Sequence, residues 1–239
     1  MTGCEPTLIR KESGAQFSVG DAGDVWFPPF PLNNSYRDQL DVIKSLQMRD
    51  DDVILTGFPK SGSHWFYEIL NMLLMGKAEY LPRGKAADMI DANSPDQVEG
   101  IRSPRVLNTH VRFRYLPREA IEKKTKIVVL LRNPKDVCVS LYNHMKDWLH
   151  GGYTGSWQDF FDIYMDTGCS LVHGNWFDTV LDWEQEMAEN QHLPIRLASF
   201  EEMFKNPVEQ ILELSKFLEL DRSPDLCSQG AERSVASAS

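Results

Sequence analysis

The chain has 239 residues, of which 42% are hydrophobic and 10% aromatic, so it is long and apolar enough to form the core of one large domain or two small ones. Its net charge of −10 and pI near 5.1 argue against a protein that binds nucleic acid or an anionic membrane surface. Charged residues interrupt the first thirty positions, and no stretch approaches ~18 uninterrupted apolar residues, so the sequence predicts neither a signal peptide nor a membrane span.

The first part of the chain predicts an extended segment, a helix and a buried strand. Residues 1–35 are rich in glycine, proline and polar side chains, and the aromatic stretch at residues 26–31 is expected to lie over the core. Apolar residues at helical intervals predict a helix over residues 36–48. Three aspartates at residues 50–52 then precede Val53-Ile-Leu55, a continuous apolar run typical of a buried strand.

A glycine-bearing loop follows this strand and opens a helix that extends to about residue 75. A strand, a glycine loop and a helix N-terminus together form the arrangement whose backbone amides hold an anionic group. The Gly57-x4-Gly62 spacing is that of a Walker A loop, but Ser63 stands where the phosphate-binding lysine belongs. The only lysine of the loop is Lys60. For this loop taken alone, a strand-to-helix turn with a solvated lysine is the alternative.

The rest of the chain alternates strands and helices. A polar stretch at residues 81–105 predicts a surface loop with one short helix. Strands are predicted at residues 106–110, 126–132 and 193–199, and helices over residues 134–148, 156–165, 171–190 and 207–220. The segment 126–132 is apolar on both faces, as a central parallel strand requires.

This alternation predicts an α/β fold, a doubly wound parallel sheet with a P-loop-like anion-binding loop. A single domain is expected over residues 36–222, with ligands bound at the carboxyl ends of the strands. Residues 223–239 are small and polar without a pattern and are predicted to form a disordered tail.

Three loops at the carboxyl ends of predicted strands carry the candidate site. Lys60 follows the first strand, His110 ends the second, and Arg132 ends the central strand. Ser140 lies two turns into the next helix, where its hydroxyl and the Arg132 guanidinium suit a phosphate group. A structural role for His110 and a surface ion pair between Arg132 and Asp136 are the alternatives.

These segments, in this order, resemble the cytosolic sulfotransferase family. Phe58-Pro-Lys-Ser-Gly-Ser-His-Trp65 is similar to the 5′-phosphosulfate loop of that family, and Leu131-Arg-Asn-Pro-Lys-Asp-Val-Cys-Val-Ser140 is similar to its 3′-phosphate element. Asn108-Thr-His110 corresponds to the segment that carries the catalytic histidine. Shorter matches are Gly155-Ser-Trp157, Phe200-Glu-Glu-Met203 and Lys205-Asn-Pro207. The resemblance covers residues 50–220.

The resemblance implies transfer of a sulfuryl group from 3′-phosphoadenosine 5′-phosphosulfate (PAPS) to a small phenol, steroid, alcohol or amine, without a metal. His110 would take the proton of the acceptor, Lys60 would stabilise charge on the bridging oxygen, and Ser140 would hold Lys60 away until the acceptor binds. The implied nucleotide-binding residues are Lys60, Ser61, Gly62, Ser63, His64, Trp65, Arg132, Ser140 and Phe200. The implied acceptor-binding residues are Asn108 and His110, and acceptor choice is expected to depend on residues 26–30, 81–105 and 142–155.

Departures from the family pattern leave two accounts open. Asn108 replaces a lysine and thereby removes one positive charge, and Phe200 lacks the hydroxyl of the usual tyrosine. The R-K-G-x-x-G-D-W segment of the family has no counterpart after Leu220. The chain is therefore expected to be either a working sulfotransferase or a truncated, catalytically weak or inactive relative with a nucleotide-binding or interaction role. A P-loop nucleotide kinase ranks third, because it needs a lysine after Gly62 and an acidic residue for Mg²⁺.

The four cysteines are scattered along the chain without metal-ligand spacing. They are Cys4, Cys138, Cys169 and Cys227. This pattern predicts reduced thiols in a cytoplasmic protein and no metal site. The sequence leaves the oligomeric state open.

Overall fold

The computed structural model describes residues 5–32, 34–148, 151–166 and 171–238. Cys4 and Cys169, both predicted to be reduced thiols, lie outside the described residues.

The N-terminal part of the chain forms a small antiparallel sheet. Strands β1 (Thr7–Arg10), β2 (Gln16–Asp21) and β3 (Trp26–Phe27) pair in that order. Phe17 and Val19 are buried, and they alternate with more exposed polar neighbours as one covered face requires. The prediction of an extended segment over residues 1–35 therefore missed this sheet, because the two-residue period in β2 is short and is surrounded by glycine and proline.

The central sheet has four parallel strands, as the alternation of elements predicts. The strands are β4 (Val53–Gly57), β5 (Val106–Asn108), β6 (Lys126–Leu131) and β7 (Ile195–Ser199). Their order across the sheet is β5-β4-β6-β7, so β4 and β6 occupy the interior. Both interior strands are almost entirely apolar, since helices cover both of their faces.

Ten helices complete the described part of the chain. They are α1 (Tyr36–Ser45), α2 (Ser63–Met75), α3 (Pro95–Glu99), α4 (Arg118–Glu122), α5 (Pro134–Lys146), α6 (Trp157–Met165), α7 (Trp176–Glu189), α8 (Phe200–Lys205), α9 (Pro207–Phe217) and α10 (Pro224–Ala238). Short 3₁₀ turns occur at Lys85–Asp88 and Phe113–Tyr115. None of the described helices combines the length and the hydropathy needed to cross a membrane.

Helices on both faces make the sheet doubly wound. Ile54 and Val129 point to the face covered by α1, α4 and α7, whereas Leu55 and Val128 point to the face covered by α2, α9 and α10. This alternation fixes the register, because a shift of one residue would exchange the two buried sets. The small antiparallel sheet packs against α5 and α6 through Phe17 and Val19, and Phe27 of β3 joins the cluster beside α1.

The strand order creates a crevice at the carboxyl end of β4. From β4 the chain passes through α2 to β5 on one side, and from β5 it returns through α4 to β6 on the other side. Ligands of open α/β sheets bind at such a switch point. The loops after β4, β5 and β6 therefore meet at one edge of the sheet.

The C-terminal segment differs from the prediction for residues 223–239. Within the described residues it forms α10, in which Cys227 and Ala231 are buried against the core beside α2. The signal for its start was present, because Ser223 precedes Pro224 and its hydroxyl accepts from the Leu226 amide at 3.2 Å. The helix was missed because its buried residues are small and its apolar pattern is weak.

Candidate active site

A cavity of about 720 Å³ occupies the crevice at the carboxyl ends of β4, β5 and β6. The structure brings together on its wall most of the residues that the sequence singles out. These are Lys60, Gly62, Ser63, His64, Trp65, His110, Arg132, Ser140 and Phe200. They come from four separate segments of the chain, so only the fold places them at one site.

The start of α2 opens into this cavity without a side-chain cap. Gly62 precedes the helix with φ of 100°, and the first turn contains no acidic residue. The orphan amides of a helix N-terminus and the helix dipole together favour an anion at such a position. A Cβ on Gly62 would lie 2.6 Å from the ring of Phe200, so this position requires glycine for both its backbone angle and its packing.

Lys60 and Arg132 are linked on the cavity wall. The Nη1 atom of Arg132 donates to the carbonyl oxygen of Lys60 at 2.9 Å, and the guanidinium lies 4.1 Å from the centre of the Phe200 ring. The guanidinium thus contacts these two residues rather than Asp136. Burial, and then the charge of Arg132, lower the pKa of Lys60 below its usual 10.5. Two neighbouring cations in a partly buried cavity favour binding of an anion.

His110 is held in one tautomer. Its Nδ1 atom lies 2.8 Å from the carbonyl oxygen of Gly57, and because a carbonyl only accepts, Nδ1 carries the hydrogen. The lone pair of the neutral ring is therefore on Nε2, and the side chain lines the cavity. Burial, and then the charge of Lys85, lower the pKa of His110 well below 6.5, so the ring is neutral at pH 7.

Buried Asp91 fixes the backbone that presents His110. Its carboxylate accepts from the Thr109 hydroxyl and, at 2.8 Å, from the His110 amide. Burial raises the pKa of Asp91 to about 6. The ring of His173 lies 5.2 Å from that of His110, and its Nε2 atom is 3.9 Å from Asp91. The sequence pattern indicated neither Asp91 nor His173 as a site residue.

Two predicted site residues do not line the cavity. Asn108 is 1% exposed, and its side-chain amide bonds to Lys85 instead of facing a ligand. Because β5 ends at Asn108, the two-residue alternation that would align Asn108 with His110 no longer holds. Ser61 is also 1% exposed, and its buried hydroxyl has no partner among the described residues. Neither side chain faces the cavity, so the acceptor contact of Asn108 and the nucleotide contact of Ser61 stay predictions.

Apolar side chains form much of the rest of the wall. Phe30, Met89 and Trp148 each come from one of the three segments expected to set acceptor choice. His144, on α5, also lines the cavity. Leu141, Val172 and His173 lie outside the segments that the sequence indicated, and Lys85 and Ala86 lie within 81–105 but were not named individually. Most lie in loops without hydrophobic periodicity, so no pattern indicated them.

Comparison with known proteins gives a consistent result. A family model described as "Sulfotransferase domain" matches residues 50–236. The chain is similar to human sulfotransferase 6B1, at 30% identity over 196 residues, and to zebrafish (Danio rerio) sulfotransferase 6B1, at 32% identity over 203 residues. These alignments cover 80% and 83% of this chain. The chain spans 62% of the length of the human relative and 67% of that of the zebrafish relative.

A solved structure shares the fold. The chain superposes on the crystal structure of mouse sulfotransferase SULT7A1 complexed with PAP with a TM-score of 0.70 and 26% identity, covering 95% of this chain and 73% of the mouse chain.

Proposed function

This chain belongs to the sulfotransferase family, and from that premise we propose that it transfers a sulfuryl group from PAPS to a hydroxyl or amine of a small acceptor. The observation that carries the proposal is the shared cavity of His110, Lys60 and the side-chain-uncapped start of α2. It combines a neutral base, a cation and an anion-binding helix end in one place.

The cavity has the residues that a nucleotide with two separate anionic groups needs. Ser63, His64 and the α2 amides are suited to the 5′-phosphosulfate, with Lys60 beside them. The 3′-phosphate suits the Arg132 guanidinium and the Ser140 hydroxyl, which both line the cavity. The buried Nε atom of Arg132 has no partner among the described residues and could donate to that phosphate. Trp65 and Phe200, whose rings lie 5.3 Å apart, form an aromatic wall suited to adenine. The complex of the mouse relative with PAP supports this assignment.

His110 is the proposed base. PAPS, when bound, supplies the sulfuryl group, and the acceptor must lose a proton as its oxygen or nitrogen attacks. The bare Nε2 atom of His110 is oriented to take that proton, because the Gly57 carbonyl holds the hydrogen on Nδ1. Its lowered pKa keeps the ring in the unprotonated, competent form across the neutral range, at the expense of basicity.

Lys60 is the proposed stabiliser of the leaving group. Negative charge develops on the bridging oxygen as its bond to sulfur weakens, and an ammonium held in a partly buried cavity interacts with that charge more strongly than one in water. Its left-handed backbone, with φ of 69°, and the bond from Arg132 to its carbonyl fix the start of the side chain.

Binding and transfer assays test the proposal. Titration calorimetry with PAP is expected to show tighter binding than ATP with Mg²⁺, and labelled PAPS is expected to transfer its label to at least one member of a phenol, steroid and amine panel. Mg²⁺-dependent preference for ATP would instead support a kinase, although Arg132 and Asn133 follow β6 where a kinase needs an acidic residue. Absence of both binding and transfer would overturn the proposal.

A cytoplasmic location is also proposed. Cys138 and Cys227 are free and buried, which fits a reducing compartment. Fractionation of cells that express the chain tests this location.

A further inference from the structure

Lys85 is a buried lysine on the wall of the active-site cavity. It has no part in the proposed roles of His110 and Lys60. It begins the 3₁₀ turn Lys85–Asp88 between α2 and β5, and it is only 7% exposed. Fully buried lysines are rare unless they are paired. No carboxylate of the described residues lies within salt-bridge distance of the Lys85 ammonium.

A reciprocal pair of hydrogen bonds holds Lys85 against Asn108. The Nζ atom of Lys85 donates to Oδ1 of Asn108 at 2.9 Å, and Nδ2 of Asn108 donates to the carbonyl oxygen of Lys85 at 3.0 Å. An ammonium has three N–H donors, and this contact uses one of them. The remaining donors are available to a group in the cavity.

The surroundings of Lys85 favour an anion. Lys60, Lys85 and Arg132 all line the cavity, whereas Asp147 is the one acidic residue among the described lining residues. Burial, and to a smaller extent the charge of Lys60, lower the pKa of Lys85 to about 8 despite the opposing effect of Asp91. A buried lysine beside other cations is destabilising without an anionic partner, and such groups with shifted pKa values are typical of functional sites.

Lys85 brings a positive charge to the end of β5, where Asn108 itself supplies none. Asn108 lies two residues before His110 at the end of β5, and an amide carries no charge there. Asn108 nevertheless holds the side chain of Lys85, whose ammonium reaches the end of β5 from a different segment of the chain. We propose that Lys85 is a further catalytic residue, whose ammonium donates to the transferring sulfuryl group in the transition state, with Asn108 as its positioning residue.

This inference rests on the proposed function, and substitution of Lys85 tests it. We expect Lys85→Met to lower kcat by about 100-fold, the effect of removing one transition-state donor, while PAP affinity changes far less. Lys85→Arg keeps a charge and is expected to recover part of that loss. Lys77→Met, which removes an exposed lysine near the end of α2, is the matched control and is expected to leave kcat unchanged.

A pH profile separates catalysis from a structural role. If the ammonium is required, kcat of the unaltered chain falls as pH rises through about 8, where Lys85 loses its proton. Lys85→Arg is expected to move this alkaline limb to higher pH, since guanidinium stays charged. The other titratable groups coupled to or facing Lys85 are Lys60, His64, Asp91, His110, His144 and His173, and none of them is altered in this variant.

The outcomes distinguish this inference from the proposed function. If the unaltered chain transfers sulfuryl groups and Lys85→Met retains kcat within about 3-fold, or if the alkaline limb of Lys85→Arg is unmoved, the role of Lys85 is wrong and the proposed function stands. If the unaltered chain neither binds PAP nor transfers, both are wrong. Thermal unfolding of each variant shows whether a loss reflects catalysis rather than misfolding.

Discussion

The Nδ1 atom of His110 lies 2.8 Å from the carbonyl oxygen of Gly57, and this contact joins the end of β4 to the segment after β5. The backbone of Gly57 adopts φ of 143°, and a Cβ there would lie 2.7 Å from the carbonyl oxygen of Leu130 on the adjacent strand β6. The close approach of β4 and β6 therefore depends on glycine at position 57, whose carbonyl oxygen also fixes which nitrogen of His110 is free to act as a base.

Replacement of His110 tests the base directly. We expect His110→Asn to lower kcat for sulfuryl transfer by about 100-fold or more, because proton transfer by a positioned base contributes about 10²–10⁴-fold. PAP binding, measured by calorimetry, is expected to remain. His192→Asn, at an exposed histidine, is the control and should retain full activity. Activity of His110→Asn equal to that of the control would assign the base to another group.

The role of Lys60 can be tested with a second lysine of positive φ as the control. Lys60→Met is expected to lower kcat by about 100-fold, since a donor aimed at developing charge acts mainly in the transition state. Lys124 also has positive φ, at 53°, but is exposed, so Lys124→Met controls for the strain of the substitution. Steady-state kinetics with labelled PAPS compares the two variants. A rise in KM with unchanged kcat would instead indicate that Lys60 only binds the donor.

The fork of Arg132 is expected to distinguish nucleotides. Arg132→Lys keeps the charge but loses bidentate geometry and the stacking on Phe200, so PAP should bind about 10-fold more weakly. The affinity for adenosine 5′-phosphate, which lacks the 3′-phosphate, should fall much less in this variant. Calorimetric titration of both nucleotides gives the ratio, and exposed Arg118→Lys is the control. Equal losses for the two nucleotides would place the 3′-phosphate elsewhere.

The central part of this site follows from the sequence, and its periphery does not. The apolar runs of β4 and β6 identify interior strands, and the rule that ligands bind at strand carboxyl ends then brings Lys60, His110 and Arg132 together. Lys85 and His173 reach the same cavity from loops whose conformation depends on tertiary contacts, such as the bond between Lys85 and Asn108. Periodicity carries no information about such contacts.

Buried His173 is expected to make stability depend on pH. Burial lowers the pKa of His173 to about 3, so the unfolded chain takes up its proton near 6.5 while the folded chain does not. The contribution of His173 to the free energy of unfolding is therefore fully present above pH 6.5, and it has fallen by about 2 kcal/mol at pH 5. Asp91 acts in the opposite direction between pH 6 and 4, because its pKa is raised to about 6 in the folded state.

The variant His173→Asn isolates this effect. Asparagine does not titrate, and it tolerates the positive φ of 60° at this position. We expect its free energy of unfolding in urea to fall by about 2 kcal/mol less between pH 7 and pH 5 than that of the unaltered chain. Asp91→Asn should show the reverse, with a larger fall. An identical pH dependence for His173→Asn would mean that His173 is accessible to protons in the folded protein.

The contact between Trp65 and Ser234 connects α10 to the cavity. The indole Nε1 atom of Trp65 donates to the Ser234 hydroxyl at 2.8 Å, and both side chains are buried. Ser234→Ala removes this acceptor and leaves a buried donor, which is expected to lower the free energy of unfolding by about 1–3 kcal/mol. Because alanine also favours helix, Ser228→Ala on a less buried position of α10 controls for the gain in helix propensity.

Trp65 lines the cavity, so PAP affinity should weaken in Ser234→Ala and not in Ser228→Ala. Equal stability of the two variants would show that α10 does not support Trp65.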